Sequence, residues 1–158
     1  MATALKNLSD FDAKKIPSGK NKTFYLIVSE LNSTITEALY EGAVDILKSC
    51  DVAPENIIKW SVPGSFELIY GAKKAQEKNP DAVIVIGSVI QGDTPHFNYI
   101  CQAVAQGIKD LNVLADCPVI FCVLTDNNLI QAQERSGGKH GNKGKEASIA
   151  ALKMAALG

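Results

Sequence analysis

Residues 82–90 read AVIVIGSVI, apolar at every position except Gly87 and Ser88. An amphipathic helix would interrupt such a run with polar residues every three or four positions, and a half-exposed strand would do so at every second one. A strand that carries neither pattern is covered on both faces. Such strands belong to parallel sheets flanked by helices on both sides, because the crossover between parallel strands is itself a helix. Two other short runs are apolar enough to match, Thr23–Ser29 (TFYLIVS) and Val119–Thr125, with Pro118 at the entry of the last, and Ile57–Val62 reads as a further strand.

The segments between them read as helices. Asn32 and Ser33 offer caps, Thr34-x-x-Glu37 resembles a capping box, and Ile35, Leu39, Ala43, Ile46 and Leu47 follow at helical spacing. Asp51–Asn56 is a turn. Pro63-Gly64 stops the second strand, and a helix is expected from Phe66 to Lys78, ended by Asn79-Pro80. Further helices are expected over Phe97–Leu111, from a cap at Asp126 or Asn127 to Arg135, and over Lys145–Leu157. Residues 136–144 hold four glycines and favour no regular structure.

Four βα units with no repeat and no linker give an α/β fold: a flavodoxin-like, doubly wound, four-stranded parallel sheet in a three-layer α/β/α sandwich. A chain of 158 residues fits one domain, expected over 23–158, behind a partly extended N-terminal arm over 1–22. Sixteen basic residues against seventeen acidic ones argue against a nucleic-acid binder. No apolar run approaches the roughly 20 residues that cross a bilayer, and the N-terminus lacks a signal-peptide core. The expected location is the cytoplasm, away from membranes. Cys50, Cys101, Cys117 and Cys122 form no CxxC pair, so no metal site is expected, and they read as small buried hydrophobes.

In a doubly wound sheet, ligands bind outside the carboxyl ends of the strands. The loop Gly92-Asp93-Thr94-Pro95-His96 lies there, before a helix start. Its backbone N–H groups and the helix dipole suit a phosphate, although Asp and Thr also serve as plain caps. His96 can move protons in both directions near neutral pH, or it can be a surface residue. Phe66 can stack on a flat ring or cover the core, and Glu67 can bind a ligand or answer the helix dipole. Fifteen of the sixteen basic residues are lysine, leaving Arg135 as the only arginine. A lone fork-shaped cation fits phosphate or carboxylate, or else it is a residue left over from compositional bias. If its helix starts near Asn128, Arg135 lies about 10 Å down the axis, too far to reach a phosphate at its own subunit's edge. That geometry suggests a site shared between subunits.

The segments VPGSFELIYGAKK, DAVIVIGSVIQGDTPHFNYI, PVIFCVLT and QAQERSGGKHGNKGKEA occur in the order and spacing of the lumazine synthase family, which the chain resembles from about Phe24 to Leu157. The resemblance implies a condensation of 5-amino-6-(D-ribitylamino)uracil with 3,4-dihydroxy-2-butanone 4-phosphate, using no metal, nucleotide or redox cofactor. It implies pentamers with active sites between neighbouring subunits, and riboflavin synthase as a possible partner. By the same resemblance, His96 transfers protons, and Gly92, Asp93, Thr94 and Arg135 hold phosphate. Ser65, Phe66 and Glu67 hold the pyrimidine and ribityl chain, Ser88, Val89 and Ile90 lie beside the pyrimidine, and Leu31, Asn32, Phe121 and Lys143 line the pocket. Glu146 is expected on the same wall as Lys143.

The chain departs from the family pattern at two positions. Leu31 stands where many members carry a stacking aromatic, and Gln91 stands where many carry arginine. Leucine has no π-face, which weakens an alternative reading as a flavin-binding protein without chemistry. A second alternative, an inactive shell protein, would need neither His96 nor Arg135 nor Lys143. The short turn Gly137–Gly144 resembles that of shell-forming members, so an icosahedral shell built from pentamers is expected.

Overall fold

In the computed structural model, which describes Asn7 and residues 9–157, the four expected strand segments are parallel strands. They are β1 (Phe24–Ser29), β2 (Ile57–Val62), β3 (Ala82–Ile90) and β4 (Val119–Asp126). Their order across the sheet is β2-β1-β3-β4. The chain winds outward from β1 to β2, crosses back to β3 and continues the other way to β4. This reversal makes the sheet doubly wound and opens a crevice at the carboxyl ends of β1 and β3. The pairing runs from Phe24 beside Ala82 to Val28 beside Ile86, and from Val83 beside Val119 to Ile90 beside Asp126.

Ala82, Val83, Ile84, Val85 and Ile86 are completely buried, as a strand covered on both faces requires. Alternation sends them to opposite cores. On one face Ile84 and Ile86 join Phe24, Leu26 and Cys122 beneath Leu39 and Leu47 of α1 (Ser33–Ser49), Ala132 of α4 (Leu129–Arg135) and Leu152 of α5 (Lys143–Met154). On the other face Val83 and Val85 join Ile27 and Val123 beneath Leu68 and Ala72 of α2 (Leu68–Gln76) and Val104 and Ile108 of α3 (His96–Leu114). The result is the expected three-layer α/β/α sandwich. Each fully buried aliphatic side chain contributes roughly 1.5–3 kcal/mol. No helix among the described residues is long and apolar enough to cross a membrane.

Several boundaries differ from those read in the sequence. The capping box at Thr34 and Glu37 does not form. Asn32 is the N-cap of α1, in the left-handed region with φ 57°, and the Glu37 carboxylate pairs with Lys59 at 2.7 Å. The second helix starts at Leu68 rather than Phe66, which leaves Ser65, Phe66 and Glu67 in a turn. The cap of α4 is Asn128, whose side chain accepts from the Gln131 N–H at 3.0 Å, while Asp126 stays in the strand. Residues 136–144 are not irregular: β5 (Ser136–Gly138) and β6 (Gly141–Asn142) make a short antiparallel hairpin. Gly137 and Gly141 carry φ of 130° and 83°, which side chains resist. The arm expected over 1–22 lies partly outside the described residues; within them, Ala13–Lys15 is a single 3-10 turn.

The last helix begins at Lys143, two residues before its expected start, because Asn142 organises the junction. Its Nδ2 donates to the carbonyls of Ala38 and Ser136 at 2.9 and 3.1 Å, and its Oδ1 accepts from the Gly144 N–H at 2.8 Å. One buried amide thereby ties α1, the hairpin and α5 together. Gly144 lets α5 approach so closely that a Cβ there would run into the Leu39 carbonyl oxygen of α1. Gly144→Ala should therefore destabilise the fold by about 1–3 kcal/mol. The readout is a lower urea midpoint at unchanged slope; an unchanged midpoint would show that the α1–α5 approach is not tight.

Candidate functional site

The reversal of winding between β1 and β3 fixes where a cleft forms. A cavity of about 710 Å³ opens at the carboxyl edge of the sheet. The loop after β1 contributes Leu31 and Asn32, and the loop after β2 contributes Ser65, Phe66 and Glu67. The end of β3 and the loop beyond it contribute Ser88, Val89, Ile90, Gly92 and Thr94, and α3 contributes His96. Eleven residues singled out in the sequence thus share one cavity. Asp93 sits in the same loop but does not line the cavity.

The loop before α3 presents its polar groups outward. Pro95 is the N-cap, and no side chain makes a capping hydrogen bond there. Asp93 and Thr94 are therefore not the plain caps their residue types allow. Nothing within 4 Å would crowd a side chain at Gly92, so its backbone is open to approach. His96 is the first residue of α3 and is exposed, beside the positive end of the helix dipole.

The cavity wall holds two hydroxyls without protein partners. Ser65 Oγ and Ser88 Oγ are buried and have no hydrogen-bond partner among the described residues. A buried polar atom left in this state costs about 1–3 kcal/mol, so both are suited to a polar ligand. Asn32 plays a different part. Its Nδ2 donates to the Ser88 carbonyl at 2.9 Å, tying the loop after β1 to the end of β3. Of the two readings of Phe66, core packing does not hold: it is 50% exposed, and Leu31 is 60% exposed. Both are free to cover a flat ligand from the rim.

Three other candidates lie elsewhere. Phe121 and Lys143 line a second cavity of about 470 Å³, with Glu146 and the arm residues Phe11 and Lys15. Lys143 Nζ donates to Glu146 Oε2 at 3.0 Å, so the two side chains share one wall of this second cavity. Behind that wall, burial pushes the Cys122 thiol up to about 12. Arg135 lines neither cavity. At the last position of α4, its side chain folds back one turn, so NH1 donates to the Gln131 carbonyl at 3.0 Å and lies 3.8 Å from Asp126 Oδ1 at the end of β4, nearer its own carboxyl edge than the rise along the helix suggested. Within one chain the candidate residues therefore form separate groups. Reading the sequence missed the arm's part in the second cavity, because Phe11 sits in a polar stretch without periodicity. It also missed the burial of Asp126, which looks like any helix cap.

The sequence profile of the 6,7-dimethyl-8-ribityllumazine synthase family matches residues 21–158. Proteins of that name are similar over almost the whole chain. One from Flavobacterium johnsoniae is 64% identical over 156 residues, covering 98% of this chain and 82% of the relative. One from Christiangramia forsetii is 58% identical over 159 residues, covering 99% and 95%. One from Porphyromonas gingivalis is 55% identical over 158 residues, covering 99% and 98%.

The tether made by Asn32 can be tested apart from its backbone strain. Asn32→Ala loses the bond to Ser88 and keeps a left-handed residue, so it should lower stability by about 1–3 kcal/mol. Asn32→Gly relieves the strain and should recover about 1 kcal/mol of that loss. Equal melting temperatures for the two variants would show that the left-handed geometry carries no cost.

Proposed function

The chain belongs to the 6,7-dimethyl-8-ribityllumazine synthase family, and on that premise we propose that the cavity around His96 is where it builds the lumazine. The enzyme condenses 5-amino-6-(D-ribitylamino)uracil with 3,4-dihydroxy-2-butanone 4-phosphate. The amine and the ketone form an imine with loss of water, phosphate leaves, and a second condensation closes the ring. The observation that carries the placement is the convergence of three loops and a helix start on one cavity that holds His96, an open Gly92 backbone and the unsatisfied hydroxyls of Ser65 and Ser88.

In this reading the loop at Gly92, Asp93 and Thr94 receives the phosphate at the start of α3. Ser65, Phe66, Glu67, Ser88, Val89 and Ile90 hold the pyrimidine and its ribityl chain, with Leu31 and Asn32 at the rim. His96 moves protons during imine formation and elimination. Holding amine and ketone in attack geometry supplies much of the acceleration, since the two react unaided and effective molarities are large. The exposed Leu31 offers no π-face, which counts against a protein that merely holds a flavin.

We further propose that the site is shared between copies of the chain. Arg135, Phe121 and Lys143 lie outside the His96 cavity of their own chain, so a neighbour would supply them. The helix α3 supports this reading: Tyr99 is 70% exposed and Leu114 82% exposed, apolar surface suited to an interface. The compact β5–β6 hairpin, with no protruding insertion, supports an icosahedral shell of pentamers. Four free cysteines fit a reducing cytoplasm.

Mixing the purified chain with both substrates should generate the lumazine chromophore. His96→Ala should lower turnover by about 10²–10⁴ and leave measurable activity. Complete loss in a correctly assembled variant would show that positioning does not carry the rate. Sedimentation at neutral pH should reveal a shell-sized particle. A species of pentamer size that persists across salt and phosphate conditions would refute the shell and leave the enzymatic reading intact.

A further inference from the structure

Asp126 closes β4 at the carboxyl edge of the sheet. Among the described residues it is the only acidic residue that is buried, at 5% exposure. Buried carboxylates normally gather hydrogen-bond donors to offset lost hydration. Asp126 has few: its Oδ2 has no hydrogen-bond partner among the described residues, and its Oδ1 lies 3.8 Å from Arg135 NH1. The helix that follows does not need it as a cap, since Asn128 fills that position. Burial pushes its carboxyl above the usual range, and the Arg135 guanidinium pulls the other way with the smaller effect.

The chain has a single arginine, and this poorly compensated acid sits beside it. We propose that Asp126 sets how tightly Arg135 holds an oxyanion, acting as an internal anion that competes for the same guanidinium. The inference rests on the reading of Arg135 as a phosphate ligand. The Gln131 carbonyl and Asp126 both approach NH1, so an incoming phosphate would meet the remaining N–H groups of the fork. A negative charge next to that fork lowers the local potential. It weakens the hold on the phosphate of the substrate and on the phosphate released from it. Tight binding of both would add nothing to the chemical step and would retain the product. Asp126 is thus a positioning and affinity-setting residue, acting through Arg135.

The test uses inorganic sulfate as a competitive inhibitor against the phosphate substrate at pH 8, well above the ordinary carboxylate range. Asp126→Asn keeps the shape and removes the charge. The sulfate inhibition constant and the KM for the phosphate substrate should both fall, roughly three- to tenfold for a like charge removed at this range. The KM for the aminouracil should not change. Asp126→Ser, smaller and also uncharged, should shift anion binding in the same direction. A merely structural role predicts weaker binding instead. Unchanged or weaker sulfate binding in both variants would overturn the inference. Arg135→Ala separates it from the reading beneath it. If that variant leaves sulfate inhibition unaltered, Arg135 does not bind the phosphate. If it weakens inhibition while neither Asp126 variant strengthens it, the proposed role of Asp126 alone falls.

Discussion

A strand with no exposed face has to be paired along both edges and covered on both sides, and β3 imposes that constraint on the rest of the chain. Its edges are taken by β1 and β4, so β2 is left to the outside of β1. Its two faces demand two separate cores, one beneath α1, α4 and α5 and one beneath α2 and α3. Once β1 and β3 are neighbours joined through a reversal of winding, the loops at their carboxyl ends diverge, and the gap between them becomes the cavity that holds His96. The placement of that cavity is therefore a consequence of where the apolar residues had to go.

The same constraint gives the cavity its rigidity. Ser88 belongs to β3 and is itself buried, so the carbonyl that anchors Asn32 is held by the sheet ladder. The Thr36 hydroxyl donates to the Ser29 carbonyl at 2.8 Å, fixing the first turn of α1 to the end of β1. Side chains at the rim, Leu31 and Phe66, hang from backbone that the core has already positioned. Precise placement matters in a condensation whose partners react without help, because alignment supplies much of the rate.

How much of this was legible in the sequence depended on whether the cause was local. β1, β3 and β4 were, because an unbroken apolar run has few alternatives in a chain of this size; β2, with Lys59 and Ser61 alternating with Ile58, Trp60 and Val62, was legible as a half-exposed strand bounded by a turn and Pro63-Gly64. The residues around His96 were, because strand ends in a doubly wound sheet share one edge. Helix starts were not, where a distant partner decides them. Asn32 looks like the preface to a capping box, but its amide is committed to Ser88, 56 positions away. Asn142 starts α5 early because it also binds the Ala38 carbonyl of α1. The hairpin at 136–144 was hidden for a related reason: its glycines read as punctuation, whereas two of them supply the positive φ that lets so short a turn pair with itself. Asp126 was invisible as a buried acid because burial is a property of the sandwich and not of the tetrapeptide around it.

The separation of the candidate residues into groups carries a thermodynamic consequence for a shared site. If one copy presents His96 and its neighbour presents Arg135, Phe121 and Lys143, substrate meets the complete constellation only at the junction. A ligand that binds only the assembled form stabilises that form by mass action. Assembly and occupancy then reinforce each other, and the apolar surface left exposed on α3 has a role beyond solubility or packing within the chain. The arrangement also explains why the core need not carry the chemistry. Cys122, the one thiol buried completely, sits behind the second cavity with its proton held chiefly by burial. In the proposed shared site, His96, Arg135 and Lys143 lie at helix ends, where a second copy would reach them.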